Sequence, residues 1–381
     1  MEKRAIGFNK PYLTGKETEY ILESVHTRKI SGDGIFTKKC HEFFERRYGF
    51  EKVLLTTSCT DALEMAAILL DIQPGDEVIA PAYTFVSSVN AFVLRGAKIV
   101  FCDSEKETPN IDINKIEELI TDKTRAIVIV HYAGIAVDMD PLMEIAKKNN
   151  IYVVEDAAQS VDSYYKGRPL GSIGHLAAFS FHETKNVISG EGGMLVINDK
   201  KFSQRAEIIR EKGTNRSAFF RGEVDKYGWV DIGSSFLPSD IIAAFLFAQL
   251  ENLEDIQKKR KHIWNYYHDN LTDLAEKGYL RFQKIPEYST NNAHMFYILC
   301  RTPDERSGLI KYLKSNGIDA VFHYLSLNRS KYYNDINCGK ELKYSDHYTE
   351  HLLRLPLYYE LTDADLDYVI TNIKNYFQEN E

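Results

Sequence analysis

Three short segments carry residue types that could do chemistry together. In Val154-Glu155-Asp156-Ala157-Ala158-Gln159 an apolar run leads straight into acids. An acid buried at a strand end is costly unless a cation or a strong donor meets it. In Ala178-Phe179-Ser180-Phe181-His182-Glu183-Thr184-Lys185-Asn186, followed by Gly190-Glu191-Gly192-Gly193, a second apolar run ends in a loop with one lysine. Desolvation or a nearby cation lowers a lysine's pKa, and the neutral amine can then form an imine or carry a proton. The glycines allow unusual φ/ψ or close approach to a ligand. In Leu54-Leu55-Thr56-Thr57-Ser58-Cys59-Thr60-Asp61-Ala62-Leu63 a third run enters a hydroxyl-rich turn that opens a helix. Free N–H groups at a helix start, with hydroxyls beside them, make an anion site suited to a phosphate.

Taken singly, each segment has an ordinary structural reading. Asp156 could be a helix N-cap, Lys185 a solvated side chain, and Ser58-Cys59-Thr60 a simple capping turn. Their order and their common position at strand ends are more specific. A carboxylate for a protonated pyridine nitrogen, a lysine for an imine and a turn for a phosphate together describe a pyridoxal-phosphate (PLP) site.

The elements that must position these residues alternate. Short apolar runs read as buried strands over Val53–Thr57, Glu77–Ala80, Lys98–Cys102, Ala126–His131, Tyr152–Glu155, Leu176–Phe181 and Gly193–Ile197. Helical stretches fall between most of them, over Thr60–Leu70, Ser87–Arg95, Asn114–Ile120 and Pro141–Asn149. Such alternation predicts an α/β domain whose mostly parallel sheet is covered on both faces. Ligands then bind beyond the carboxyl ends of the strands. Ahead of this region, two apolar-periodic segments flank the turn Ser31-Gly32-Asp33-Gly34. After it, the pattern predicts a helix over Lys201–Lys212, a loop over Gly213–Phe236 and one long helix from Pro238 to Glu276. Strand His294–Arg301, helix Asp304–Asn316, strand Ala320–Tyr324 and helix Asp363–Gln378 follow. This places a large domain with an N-terminal helical segment over 1–250 and a small α+β domain over 251–381.

Composition excludes some functions. The chain has 381 residues, 44% of them hydrophobic, which supplies a large core. Its net charge of −8, without a long Lys/Arg run, argues against nucleic-acid binding. The five cysteines, Cys40, Cys59, Cys102, Cys300 and Cys338, are scattered with no CxxC. They predict a reduced, cytoplasmic protein with no disulfide framework and no metal site. No apolar h-region opens the chain, and no run approaches the ~20 apolar residues of a membrane span.

Nearly the whole chain, from Phe8-Asn9 to the last helix, resembles the sugar-nucleotide aminotransferases of the DegT/DnrJ group. The resemblance rests on Pro81-Ala82-Tyr83-Thr84-Phe85, Val154–Gln159, Ser180–Lys185, Gly190–Gly193 and His323-Tyr324. It implies the aspartate-aminotransferase (type I) PLP fold: α/β, with a mixed, mostly parallel sheet of about seven strands and a small C-terminal α+β domain. It also implies roles. Lys185 forms the imine with PLP and shuttles the proton, and Asp156 pairs with the pyridine nitrogen. Phe85 stacks on the ring, and Gln159 lies near the phenolic oxygen. Ser58, Cys59, Thr60 and Ser180 hold the phosphate, and His323 and Tyr324 lie near the sugar. Two departures stand out. Cys59 occupies a place where many relatives have Gly, so that contact must use the backbone N–H. Ser235 stands where many relatives have an Asn that reaches the neighbouring subunit's phosphate.

Within the group, the resemblance is closest to the transaminases that make dTDP-4-amino-4,6-dideoxygalactose for cell-surface polysaccharides such as enterobacterial common antigen. Ser31–Gly34, His131-Tyr132-Ala133-Gly134, Gly213-Thr214-Asn215-Arg216-Ser217, Asp231–Ser235 and Ala293-His294-Met295-Phe296-Tyr297 carry it. The implied substrates are a dTDP-4-keto-6-deoxy sugar and L-glutamate, and the implied assembly is a homodimer with shared active sites. A related sugar dehydratase has His at the place of Lys185, so lysine there favours transamination. Arg216, Arg221 and Lys226 either meet the sugar nucleotide's pyrophosphate or form a solvated basic loop. His182 and His131 either touch substrate or pack structurally. A 3-keto-sugar transaminase, a 4-transaminase of opposite stereochemistry and a non-catalytic PLP-fold regulator remain alternatives.

Overall fold

The computed structural model describes residues 4–333 and 341–380, and Cys338 lies outside them. Cys40, Cys59, Cys102 and Cys300 are free thiols. The seven expected strands of the first half form one sheet. They are β1 (Val53–Thr56), β2 (Glu77–Pro81), β3 (Lys98–Cys102), β4 (Thr124–Val130), β5 (Tyr152–Asp156), β6 (Leu176–Ser180) and β7 (Gly193–Ile197). Their order is β1-β7-β6-β5-β4-β2-β3. Neighbours from β6 to β3 pair in parallel, and β7 runs antiparallel to both β1 and β6.

The strands are apolar throughout because both faces are covered. Alternate residues feed different cores. Val128, Val154, Ala178 and Leu195 join Leu63 and Ala66 of the helix Cys59–Leu69 on one face. On the other face, Ile127, Ile129 and Val153 join the core that holds Leu142 of the helix Met139–Lys148. Phe179, Met194 and Val196 join the core that holds Phe36 and Phe44 of the helix Ile35–Tyr48.

A second sheet of four antiparallel strands comprises Leu280–Phe282, Phe296–Cys300, Leu352–Leu355 and Val321–Phe322, in that spatial order. Helices Leu253–Glu276, Pro303–Ser315 and Asp363–Glu379 cover it around their own core. Ile6 belongs to that core and bonds to Gly317 and Asp319, so the start of the chain packs on its last third. No helix of the described residues is long and apolar enough to cross a membrane.

Four expectations are corrected. Asn114–Ile120 is not an α-helix but two 3₁₀ turns, Ile113–Lys115 and Glu117–Leu119. The Asp112 side chain captures the Asn114 N–H, and so few residues cannot offset helix nucleation. The expected helix over Lys201–Lys212 is a 3₁₀ turn, Lys200–Phe202, followed by a helix only over Ser203–Arg210. The loop Gly213–Phe236 contains a short helix, Arg216–Phe220. The long helix from Pro238 is two helices, Asp240–Glu251 and Leu253–Glu276, divided at Asn252. The first is packed between the helices Glu17–His26 and Ile35–Tyr48, while the second serves the C-terminal core. One continuous axis cannot serve both.

Sequence periodicity missed Leu280–Phe282, Leu352–Leu355, the helix Lys343–His351 and the hairpin Tyr164–Tyr165/Arg168–Pro169. Their strands have two to four residues each, too few for a period to register.

One glycine fixes how the sheet meets the turn at Ser58-Cys59. Gly193 pairs with Thr56 across β7 and β1. A Cβ on Gly193 would lie 2.2 Å from the Ser58 carbonyl carbon and 2.4 Å from the Cys59 nitrogen, so only glycine lets the two backbones pass. Gly193→Ala is expected to cost about 1–3 kcal/mol through overpacking against backbone. A urea denaturation midpoint equal to that of the parent would refute this packing argument.

Candidate active site

The carboxyl ends of the large sheet open into a cavity of about 560 Å³. It gathers ten of the expected residues: Ser58, Cys59, Thr60, Phe85, Asp156, Gln159, Ser180, Lys185, His323 and Tyr324. These come from strand ends and loops up to 266 positions apart in the chain, from Ser58 to Tyr324.

Asp156 closes β5 and is buried. Its carboxylate accepts from Ser88 Oγ at 2.6 Å and from the Ala158 N–H at 3.1 Å. Ser88 is in turn 2.8 Å from Thr84 Oγ1. Burial pushes this carboxyl above its ordinary value, against the pull of those donors and of Lys185. A further cationic N–H donor in the cavity would therefore be strongly held.

Lys185 sits in the loop after β6. The bonds Glu183 N–H to Gly190 O, Ser189 N–H to Phe181 O and Lys185 N–H to His182 O set the loop's course. Asn186 anchors it behind, donating to Gln257 Oε1 at 2.8 Å and to the Asn292 carbonyl at 3.0 Å. Among the described residues, Lys185 Nζ has no ion-pair or hydrogen-bond partner. Desolvation lowers its pKa, with Arg354 acting in the same direction and Asp156 opposing. A neutral amine is the result this environment favours.

Ser58 caps the helix Cys59–Leu69 by accepting from the Asp61 N–H at 3.1 Å. The helix start thus faces the cavity with N–H groups and the Thr60 hydroxyl, which lies 2.9 Å from Ser87 Oγ. Ser180, at the end of β6, lines the same region. Burial lifts the Cys59 thiol far above its ordinary value, so this residue offers backbone rather than a thiolate.

A cluster of rings forms another wall. Gln159 accepts from the Ala133 N–H at 2.6 Å and donates to Tyr324 OH at 3.2 Å. Tyr132 OH and His323 Nδ1 are 2.8 Å apart, and the His323 and Tyr324 ring centroids are 3.5 Å apart. Desolvation, with Arg354 and Lys185 nearby, keeps the His323 ring neutral. Phe85 stays 56% exposed over this wall, 6.0 Å from the Tyr324 ring.

Three expected residues lie elsewhere. Ser235, Arg216 and Arg221 line a separate cavity of about 840 Å³ with Ser31, Asp33 and Arg210. Arg221 is paired with Glu207 at 2.9 Å and with Glu223 at 2.7 Å. Arg216 reaches Glu211 at 4.0 Å and lies over the Phe220 ring. Lys226 is exposed in the same loop. The two uncertain histidines also resolve. His131 is fully buried, 2.9 Å from Glu155 and accepting from the Val137 N–H, which is a structural role. His182 lines the Lys185 cavity while its Nδ1 bonds within the loop to Thr184.

Sequence reading missed Thr84, Ser88, His294 and Arg354, all of which touch Asp156 or line the cavity. Two successive hydroxyls after Pro81–Phe85 were a signal for Ser88. A lone arginine within Leu352-Leu353-Arg354-Leu355 was a signal for Arg354.

The donor set fits pyridoxal phosphate. A buried carboxylate, an unpartnered desolvated lysine and an N–H-rich helix start face one cavity. Comparison with known proteins agrees. The sequence pattern of the DegT/DnrJ/EryC1/StrS aminotransferase family matches residues 11–374. GDP-perosamine synthase of Escherichia coli O157:H7 is 31% identical over 97% of this chain and 98% of its own. The spore coat polysaccharide biosynthesis protein SpsC of Bacillus subtilis is 31% identical over 97% and 96%. Among solved structures, the PLP-form of Spr1654 from Streptococcus pneumoniae superposes with a TM-score of 0.90 at 26% identity, covering 99% of both chains.

A desolvated lysine has a measurable stability signature. The folded-state pKa of Lys185 lies below its ordinary value of 10.5, so the unfolded chain binds more protons between the two. Stability therefore rises with pH through that window. Lys185→Met, prepared without cofactor, is expected to melt higher than the parent at pH 7, with the gap narrowing as pH approaches 10.5. A lower melting temperature for the variant at pH 7 would show that the lysine is well solvated or paired.

Proposed function

Because the chain belongs to the DegT/DnrJ/EryC1/StrS aminotransferase family, we propose that it is a nucleotide-sugar transaminase acting on a 4-keto-6-deoxy sugar. Its cofactor is pyridoxal phosphate. The observation that carries this reading is the pairing of Asp156 and Lys185 in one cavity whose third wall is the ring cluster of Tyr324 and His323. A regulator needs no desolvated lysine opposite a buried carboxylate, and the cost of keeping both argues for chemistry.

When bound, pyridoxal phosphate supplies an electrophilic carbon and an electron-withdrawing ring. Asp156 would keep the ring nitrogen protonated, with Ser88 and Ala158 holding its two oxygens in place. Ser58, Cys59, Thr60 and Ser180 would take the phosphate, Phe85 would cover the ring, and Gln159 would stand beside the phenolic oxygen. Lys185 removes the proton from the donor's Cα and later delivers one to the sugar carbon that receives nitrogen. Desolvation lowers its pKa and so favours the free amine, and such general acid–base catalysis contributes roughly 10²–10⁴-fold. His323 and Tyr324 would flank the sugar ring.

We propose dTDP-4-dehydro-6-deoxyglucose and L-glutamate as substrates and dTDP-4-amino-4,6-dideoxygalactose as product, destined for a cell-surface polysaccharide. A GDP-linked acceptor is the second reading, favoured by the likeness to GDP-perosamine synthase. The purified protein is expected to consume glutamate with the dTDP sugar and to give a 4-amino product whose NMR couplings report an axial amine. Lys185→Ala is expected to abolish turnover and borohydride-fixable attachment of the cofactor. Preferential turnover of the GDP analogue would replace the first reading with the second. An NMR spectrum with an equatorial or a 3-amino product would overturn the assigned stereochemistry or regiochemistry.

We also propose a homodimer in which Ser235, Arg216 and Arg221 serve the partner's site. Their absence from the chain's own Lys185 cavity supports this, as do Phe220, Tyr227 and Trp229, the last 85% exposed, on the same loop. Sedimentation is expected to give a dimer, and a fully active monomer would refute the shared site.

A further inference from the structure

His294 stands just before the strand Phe296–Cys300, is buried, and lines the Lys185 cavity. Its place is over-determined. Ala293 before it has a φ of 52°, in the left-handed region that a residue with a side chain seldom adopts. Arg260 donates to the Ala293 carbonyl at 3.1 Å and to the His294 carbonyl at 2.6 Å. The His294 N–H donates to Asn292 Oδ1 at 3.0 Å. The ring is held by the residue after Lys185: Asn186 Oδ1 lies 2.8 Å from His294 Nδ1.

These bonds fix where the ring carries its hydrogen. Asn186 Nδ2 reaches the Asn292 carbonyl at 3.0 Å and Gln257 Oε1 at 2.8 Å. A backbone carbonyl only accepts, so that atom is the amide nitrogen, and the atom facing His294 is the amide oxygen. The amide oxygen only accepts too, so His294 Nδ1 bears the hydrogen. Burial, reinforced by the charge of Lys185, holds the ring's pKa well below its ordinary value and denies it a second proton. His294 Nε2 is therefore a bare lone pair, and among the described residues nothing donates to it.

A lone pair repels the oxygens of a carboxylate or phosphate, so this ring is not an anion ligand. It calls for an N–H or O–H. The Lys185 amine faces the same cavity and, among the described residues, also lacks a partner. It belongs to the chain neighbour of the very residue that holds the ring, and its flexible stem lets it swing within the cavity. We propose that His294 Nε2 accepts a hydrogen bond from Lys185 Nζ whenever the lysine is not joined to the cofactor, which makes His294 a positioning residue for the proton carrier. This rests on the reading of Lys185 as that carrier. A carboxylate in the same place would hold Lys185 as a permanent ammonium. A neutral ring orients the amine, accepts from the ammonium formed when Lys185 takes the Cα proton, and lets that proton leave again. The transferred proton stays on Nζ until it is delivered, and the ring keeps its own on Nδ1.

The test uses ¹⁵N-histidine-labelled enzyme loaded with pyridoxamine 5′-phosphate, which leaves the Lys185 amine free. The His294 ring signals are identified by their loss in His294→Asn or, should that variant not fold, in His294→Gln. They are expected to show a neutral ring with its hydrogen on Nδ1, and an Nε2 signal that moves toward that of a free lone pair in Lys185→Met. Hydrogen on Nε2, or an Nε2 signal unmoved in Lys185→Met, would overturn the proposal. Kinetics separate positioning from mere support of the fold. His294→Asn keeps an N–H for Asn186 but has no atom at the place of Nε2, whereas His294→Gln can bring an amide oxygen there. With parental cofactor absorbance and melting, His294→Asn is expected to slow the glutamate half-reaction by about 10–100-fold at a glutamate KM within about twofold. The isotope effect of deuterium at the donor's Cα should rise, and His294→Gln should recover part of the rate. A parental rate and isotope effect in His294→Asn would also overturn the proposal. If the parent reacts with no amino acid, the transaminase reading fails, while the Nε2 shift between the parent and Lys185→Met still decides the contact.

Discussion

Keeping water away from a lysine amine and an aspartate in one cavity is the constraint on which the rest of this structure depends. Among the described residues, Lys185 has no counter-ion in contact, and Asp156 accepts hydrogen bonds from Ser88 and a backbone N–H. Each would be better solvated outside. Asp156 closes β5 and Lys185 sits in the loop that follows β6, so a sheet buried on two faces sets the position of both. The fold thus stabilises a charge arrangement that is unfavourable in itself, which is how a protein keeps reactive groups poised.

The two cores meet at this cavity. The large sheet supplies Asp156, the helix start at Ser58 and the Lys185 loop. The small sheet supplies Arg354 and, just beyond its short strand, His323 and Tyr324. Asn292 ties the halves together, donating to the Gln159 and Val161 carbonyls at 2.8 Å each while its own carbonyl accepts from Asn186. Gly134 comes so close to Asn292 that an added Cβ would lie 2.2 Å from its Oδ1. This contact fixes the ring cluster relative to the lysine loop, so one junction sets the positions of Lys185 and of the His323–Tyr324 wall.

Two features of the electrostatics follow from that meeting. Desolvation keeps the His323 ring neutral, so that wall presents a hydrogen-bonding ring, while the Arg354 Nε beside it is buried without a hydrogen-bond partner. Asp156 stands across the cavity as the acid that answers Lys185 and whatever cation binds between them.

The strand positions, the strand-end acid, the lysine loop and the capping turn were legible in the sequence because each is local. Apolar runs bounded by glycine or hydroxyls need only their own residues to declare themselves, and ten of the expected site residues do meet in one cavity. The division at Asn252, the partner of Asp156 and the place of Arg354 were not legible. Ser88 reaches Asp156 across 68 positions, and Arg354 reaches the cavity only because a four-residue strand pairs between two others. Likewise, the chain order did not show that Arg216, Arg221 and Ser235 would line a cavity separate from that of Lys185. Sequence alone determined which groups could do the chemistry, since that depends on side-chain type and local backbone. Tertiary structure decided which of them share a water-poor space, since desolvation and charge act through distance in three dimensions and not along the chain.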